Sequence, residues 1–182
     1  MTTTTNATRM STLMPGGYTR QALVVGPESP HAVRGERCYV IDGDGRRLID
    51  FNNDFTSLIH GNAHPAVVQA ALSAIKDGSA FGLPTQWEHE HAQLLVDRLP
   101  GAEQVRYTCS GTEAVMTAVR LARAATGRSG LLALHGAYHG YSDSVLPAGG
   151  AKSERGVPAA LVDELSLVAC NDVEGLEADG DG

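Results

Sequence analysis

The sequence contains no long apolar run, and its basic residues are outnumbered by acidic ones. None of the apolar runs approaches the roughly 20 residues that cross a bilayer, so no membrane association is expected. The first 20 residues lack the apolar core of a signal peptide. A formal net charge of -7, from 14 basic and 21 acidic residues, argues against a nucleic-acid partner, which requires a basic face. These features predict a cytoplasmic protein.

Cysteine is also scarce, with three residues that lie far apart at Cys38, Cys109 and Cys170. This odd and dispersed set is neither a disulfide framework nor a zinc ribbon, and it predicts reduced, buried thiols. The histidines do not have the spacing of metal ligands. His60 and His64 lie in a loop, and two others are two positions apart, which a helix points in different directions. No metal site is therefore expected.

The overall composition is typical of a soluble globular protein, with 42% hydrophobic and 19% charged residues in a chain of 182. Residues 1–13 are rich in threonine and without periodicity, so they predict a disordered tail. Asp and Gly alternate over residues 42–45, inside two short strand patterns that span residues 36–51. This arrangement predicts a β-hairpin.

Helical and strand patterns follow each other through the rest of the chain. The helical patterns cover residues 65–78, 85–100 and 112–125, a further one begins at 171, and the strand patterns cover 105–109, 130–136 and 165–170. Apolar residues such as Val67 and Leu72 fall on one face of the first helix, and the stripe of the third helix, which includes Val119 and Ala122, is expected to face inward. The last two strand patterns are continuous apolar runs, which predict strands buried on both faces. The order favours an α/β fold with a mainly parallel sheet and flanking helices.

Ser110, Gly111 and Thr112 stand between a predicted strand and the helix that follows it. Ligands bind at such strand-to-helix loops, and the first amides of a helix attract anions such as phosphate. Gly111 allows a close approach to the backbone, and the two hydroxyls add donors. Serine and threonine are also ordinary helix N-caps, so a purely structural role stays open.

A second strand-end loop carries Tyr138 and His139 between Gly136 and Gly140. Since strand-end loops converge on one crevice in a sheet of this kind, the tyrosine ring is placed to lie against a planar ligand. A core tyrosine beside a turn is the alternative.

Two stretches, SGTEAVMTAVRLARAATGR and GAYHGYSDSVL, closely resemble the class III, fold-type I pyridoxal-phosphate aminotransferases. Within that family they look most like the glutamate-1-semialdehyde 2,1-aminomutase branch. Further segments occur in the order and spacing of the family: MPGG, YVIDGDGRRLIDF, HGNAHPAV, FGLPTQWE and GVPAAL. The resemblance covers nearly the whole chain from about Met14. It implies an N-terminal segment over residues 14–60 and, over 61–182, the first part of the large cofactor-binding α/β domain.

The resemblance also implies a cofactor and a set of residues that bind it. Ser110, Gly111 and Thr112 would hold the phosphate of pyridoxal 5'-phosphate, Tyr138 would stack on its ring, and His139 would lie beside it. The implied reaction is amino-group transfer on a small amine or keto substrate, in a complete protein that is a homodimer.

Two features depart from the family pattern. Phe55 stands where the aminomutase branch has a tryptophan, which favours a substrate-binding role for Phe55 and a different amine as substrate. The lysine that forms the Schiff base is expected beyond Gly182, because Lys76 and Lys152 are the chain's two lysines and neither lies in a matching motif. No catalytic residue is therefore assigned, and the chain alone is expected to be inactive. The alternative is a non-catalytic truncated module that binds a phosphate ligand or a partner chain.

Overall fold

The computed structural model describes residues 13–14, 30–150 and 154–180, which pack as two compact units, Met1–Thr85 and Gln86–Gly182. Apart from Leu13, the predicted tail over residues 1–13 lies outside the described residues. Units of packing and domains of a family need not coincide, so the predicted division into 14–60 and 61–182 stays a prediction. In the described part of the chain, no helix combines the length and apolar character required to cross a membrane.

The first unit contains the predicted hairpin as part of a three-stranded antiparallel sheet. Its strands are β1 (Ala32–Glu36), β2 (Tyr39–Asp42) and β3 (Arg47–Ile49), in the order β1-β2-β3. β2 and β3 pair through Tyr39 with Ile49 and Val40 with Leu48, which confirms the turn that the Asp/Gly pattern predicts. β1 extends the hairpin on the other side of β2.

Asp42 holds the turn of this hairpin together. Its side chain is 2% exposed. One carboxylate oxygen accepts the backbone N–H groups of Asp44 at 3.0 Å and Arg46 at 2.8 Å, and the other accepts the Arg46 guanidinium at 2.7 Å. Gly45 takes the left-handed conformation that this turn requires, with φ at 79°.

One helix of the first unit, α1, spans Pro65–Ile75. Proline suits the first helical position because its missing N–H has no intrahelical partner there. The helix confirms the periodic pattern, and its apolar residues Val67, Leu72 and Ile75 are exposed. The periodicity specifies a helix with an apolar face, whereas burial also requires a neighbour to cover that face.

The second unit alternates helices and strands. Its elements are α2 (Gln86–Arg98), α3 (Gly111–Thr126), β4 (Leu131–Leu134), a 3-10 helix (Leu146–Gly149), α4 (Ala159–Asp163), β5 (Leu165–Val168) and α5 (Val173–Gly180). β4 and β5 pair in parallel, with Leu131 opposite Leu165 and Leu134 opposite Val168. The predicted α/β class with a parallel sheet is therefore confirmed.

Two expectations for the strands are wrong. Residues 105–109 form no strand, because no neighbouring strand among the described residues supplies a hydrogen-bonding ladder. β4 is buried on one face instead of both: Ala133 is buried, whereas Leu132 and Leu134 are 39% and 42% exposed. Successive side chains of a strand point to opposite faces, and the described part of the chain covers one of them.

The expected burial of the thiols is also wrong, since Cys38, Cys109 and Cys170 are exposed and unpaired. In α3, Val119 is half-buried, whereas Ala122 is exposed against expectation. Exposure of these residues has the same cause as in α1, namely apolar positions without a covering element.

Candidate cofactor-phosphate site

The start of α3 is built by Ser110. Its backbone is extended, with φ at -154° and ψ at 161°, and its hydroxyl oxygen accepts the N–H of Glu113 at 3.2 Å. This is the geometry of a helix N-cap. The structural role of Ser110 is therefore present, and it leaves the hydroxyl proton of Ser110 available to donate to a ligand.

Glu113 completes the cap from the opposite direction. Its carboxylate accepts the backbone N–H of Cys109 at 2.6 Å, immediately before the helix. The Ser110 side chain thus accepts an amide in the first turn, and the Glu113 side chain accepts an amide just before the helix, in the manner of a capping box. Glu113 is not among the residues predicted from the sequence, although the spacing of serine and glutamate in SGTE is the signal for this cap.

Two backbone amides remain at the helix start. Among the described residues, nothing accepts the N–H of Gly111 or of Thr112. A Cβ built on Gly111 would meet no atom within 4 Å, so the space beside these amides is open. Unpaired N–H groups at the positive end of a 16-residue helix attract anions, so this helix start is a candidate anion site.

The loop after β4 comes against this helix start. The Thr112 hydroxyl oxygen accepts the N–H of Tyr141 at 3.2 Å. A Cβ built on Gly140 would lie 3.1 Å from the Thr112 Cα, and Gly140 has φ at 106°. Gly140 is therefore required for the close contact, and the two loops that the sequence singles out lie together.

Tyr138 and His139 precede this contact. The Tyr138 side chain is 78% exposed, so it does not occupy a core position. His139 is half-buried, and its Nε2 atom is buried without a hydrogen-bond partner among the described residues. An exposed aromatic ring and an unsatisfied imidazole nitrogen therefore belong to the two residues just before Gly140, which contacts Thr112 at the helix start. Such groups suit a planar ligand with polar substituents.

A salt bridge holds the far end of α3 in place. The Arg123 guanidinium donates to the Glu164 carboxylate at 2.8 Å and, through Nε, to the Ser129 carbonyl at 2.8 Å. These contacts join α3 to the residue that precedes β5, and no sequence motif predicts them. They fix the direction of the helix whose first turn forms the candidate site.

Phe55 lies in the first unit, in a turn over Asn53–Thr56 whose four residues all have positive φ, between 50° and 69°. Its ring is partly exposed. A run of non-glycine residues in this region is strained. Of the two lysines, Lys76 follows α1 and Lys152 lies outside the described residues.

The profile of the family described as Aminotransferase class-III matches residues 25–179. This chain belongs to that family. The helix start at Ser110–Thr112 and the loop at Tyr138 thus lie inside the class III match, and the family resemblance of the sequence is confirmed.

Curated relatives of this class III chain are glutamate-1-semialdehyde 2,1-aminomutases. The enzyme of Dichelobacter nodosus is 39% identical over 180 residues, which is 93% of this chain and 42% of that protein. The enzyme of Methanothermobacter thermautotrophicus is 43% identical over 159 residues, covering 86% and 38%. The chain therefore spans about two-fifths of the length of these relatives.

Solved structures place the class III chain on the same fold. An omega-transaminase from Sphaerobacter thermophilus matches with a TM-score of 0.86 at 38% identity, over 93% of this chain and 42% of that one. A structure described as a transaminase with PLP bound matches with a TM-score of 0.87 at 40% identity, over 95% and 42%. These neighbours confirm the fold as the N-terminal part of a fold-type I transferase.

Proposed function

We propose that this class III chain binds pyridoxal 5'-phosphate at the start of α3, as part of a protein that transfers amino groups. The observation that carries the proposal is the pair of unpaired amides at Gly111 and Thr112, with open space above Gly111. The phosphate accepts these N–H groups, and the hydroxyls of Ser110 and Thr112 add donors, because each accepts one internal hydrogen bond and keeps its proton.

Tyr138 and His139 supply the contacts to the rest of the cofactor. The exposed Tyr138 ring covers one face of the pyridine ring, and the unpaired His139 nitrogen takes a polar partner at its side. When bound, the cofactor withdraws electrons from the amine carbon of a substrate and stabilises the charge left when a proton departs. The residues of this chain bind and orient the group.

The substrate is a small amine or keto compound, and the reaction is that of an aminotransferase or of an aminomutase of the glutamate-1-semialdehyde type. Curated relatives carry the aminomutase name, and solved neighbours carry the transaminase name. Phe55, in place of the aminomutase tryptophan, favours a different amine as substrate. We further propose a cytoplasmic homodimer for the complete protein.

Equilibrium dialysis of the purified chain against pyridoxal 5'-phosphate tests the cofactor site. Tyr138→Ala is expected to weaken binding by about fivefold, because a stacked aromatic pair contributes about 1 kcal/mol. Tyr138→Phe keeps the ring and is the matched control, with affinity close to that of the original chain. Equal affinity for both variants would contradict the placement of the ring.

A non-catalytic module is the alternative, and the sparse lysines favour it for the chain on its own. Lys76 follows α1, and neither lysine lies in a motif of the family. We expect borohydride treatment with the cofactor to give weak, scattered labelling, with no turnover of an amine. A stoichiometric adduct on one lysine together with turnover would contradict this expectation.

A further inference from the structure

A cavity of about 520 Å³ lies along α3, between this helix and residues 141–144. Small-molecule pockets have volumes of about 300–1,000 Å³, so the cavity has the capacity for a small ligand. Met116, Val119 and the Tyr141 side chain form its apolar part. Arg120 lies eight residues after Thr112, which is about 12 Å along a helix, whereas Tyr141 connects the cavity to the helix start through its N–H bond to Thr112.

Charges of opposite sign line the same cavity without neutralising each other. Arg120 and Asp143 both contribute to the wall, and within the part of the chain that the structure describes neither has an ion-pair partner. Arg123 also lines the cavity, but Glu164 neutralises it at 2.8 Å. One cation and one anion therefore remain available to a ligand.

A hydroxyl adds to these two groups. Ser142 lines the cavity, and its Oγ is buried with no hydrogen-bond partner among the described residues. A buried polar atom without a partner costs free energy unless a ligand or water satisfies it. The cavity thus presents a positive group, a negative group, a hydroxyl and an apolar wall.

We propose that this cavity binds an apolar α-amino acid in its zwitterionic form. The ligand carboxylate pairs with Arg120, the ammonium pairs with Asp143, and Ser142 hydrogen-bonds one of these two groups. The apolar side chain of the ligand packs against Met116 and Val119. A ligand with only a negative charge would be repelled by Asp143, and a ligand with only a positive charge would be repelled by Arg120. The site does not rest on the proposed cofactor function.

Titration of the full chain with L-leucine, without pyridoxal 5'-phosphate, tests the proposal by heteronuclear NMR. The amides of residues 141–144 are expected to shift in a saturable manner at concentrations up to about 10 mM. Two analogues each lack one charge: 4-methylpentanoate keeps the carboxylate, and 3-methylbutylamine keeps the ammonium. Each is expected to bind at least about tenfold more weakly than leucine, because a charged pair is lost.

Single-residue variants measure the contribution of each charge to leucine binding. Arg120→Gln and Asp143→Asn are each expected to weaken leucine binding by about tenfold. Arg128→Gln and Asp163→Asn are the matched controls, since these side chains are exposed like those of Arg120 and Asp143 but lie outside the cavity. Tyr138→Ala, which alters the proposed cofactor site, is expected to leave leucine affinity unchanged. Circular dichroism verifies that each variant is folded.

Three results would overturn the proposal: no saturable shifts with leucine, equal affinity for leucine and 4-methylpentanoate, or equal losses in the control variants. The second result would indicate an anion site. If the chain binds leucine but not pyridoxal 5'-phosphate, the proposed cofactor site is rejected and the proposed amino-acid site is retained.

Discussion

At the scale of residues, two glycines of the candidate site have different roles. Gly111 has an ordinary backbone conformation, and the space where its side chain would project is open. Gly140 has φ at 106° and lies against Thr112. Absence of a side chain at Gly111 leaves room for a ligand, whereas at Gly140 it permits the packing of the chain on itself.

These roles predict opposite effects of the same substitution. Gly111→Ala is expected to leave the free energy of unfolding unchanged or raise it by up to about 1 kcal/mol, since alanine favours a helix. It should weaken pyridoxal 5'-phosphate binding by about tenfold, because the new methyl group enters the ligand's space. Gly140→Ala is expected to lower the free energy of unfolding by about 1–3 kcal/mol. Urea unfolding and dialysis measure the two quantities, and equal destabilisation by both variants would reject the distinction.

A second prediction for a single residue concerns Asp42. Burial raises the pKa of its carboxyl, but the Arg46 N–H, the Arg46 guanidinium and the Asp44 N–H outweigh burial and hold the pKa below its ordinary value of 3.8. As the pH falls, the unfolded chain therefore binds this proton at a higher pH than the folded chain does. The stability that this carboxylate contributes is complete above about pH 3.8 and is lost as the pH falls through the folded-state pKa.

Asp42→Asn removes that pH dependence. Amide protection of β2 and β3 is expected to be lower in the variant at pH 6, and the difference from the original chain should shrink as the pH falls below 3.8. Asp77→Asn is the control and should match the original chain, because the Asp77 side chain is exposed and forms no ion pair among the described residues. A difference that stays constant with pH would contradict the assignment.

At the scale of elements, α3 carries its own start and stop signals. Ser110 and Glu113 cap its first turn, and Gly127 ends it in a left-handed conformation with its N–H donated to the Arg123 carbonyl. These local interactions determine where the helix begins, and the beginning of the helix is the candidate binding site. Helix stability and the proposed ligand binding therefore depend on the same residues.

Ser110→Ala and Glu113→Ala are each expected to lower the free energy of unfolding by about 1 kcal/mol, because each removes a hydrogen bond to an amide at the helix start. A double-mutant cycle should give a coupling of about 0.5 kcal/mol or more, since both bonds order one loop. Thr117→Ala is the control within the same helix. Its hydroxyl donates to the Glu113 carbonyl, a bond that adds little stability, so its removal should be close to neutral. Strictly additive effects would contradict the shared cap.

At the scale of the whole molecule, the described chain leaves extensive apolar surface exposed. The apolar side of α1 is open, and so are the Leu132 and Leu134 side chains of β4. A two-stranded parallel sheet with one open face is unusual, because parallel sheets are normally covered on both sides. Large exposed apolar patches favour association with other protein surfaces.

The chain is therefore expected to self-associate as its concentration rises, measured by sedimentation velocity. Leu72→Glu should weaken this association, since it places a charge on the apolar face of α1. Gln69→Glu adds the same charge to the same helix at a polar position and should have a smaller effect. A monomer at all concentrations, or equal effects of the two variants, would contradict a role for this face.

Much of the local structure was predictable because local interactions decide it. The hairpin turn follows from Asp42 and Gly45, α1 from Pro65 and its periodic stripe, and the end of α3 from Gly127. The family resemblance was carried by short motifs around Ser110 and Tyr138, and the class III match confirms it. The roles of the individual site residues in binding stay predictions.

Burial and pairing could not be predicted from the sequence, because they depend on elements distant along the chain. Residues 105–109 alternate like a strand, yet a strand forms only where a neighbour supplies the ladder. By itself, the sequence determined the family, the positions of α1, α2 and α3, and the candidate phosphate loop. Tertiary structure decided that Gly140 packs on Thr112, that Glu164 neutralises Arg123, and that Arg120 and Asp143 share a cavity, since each of these joins residues more than 20 positions apart.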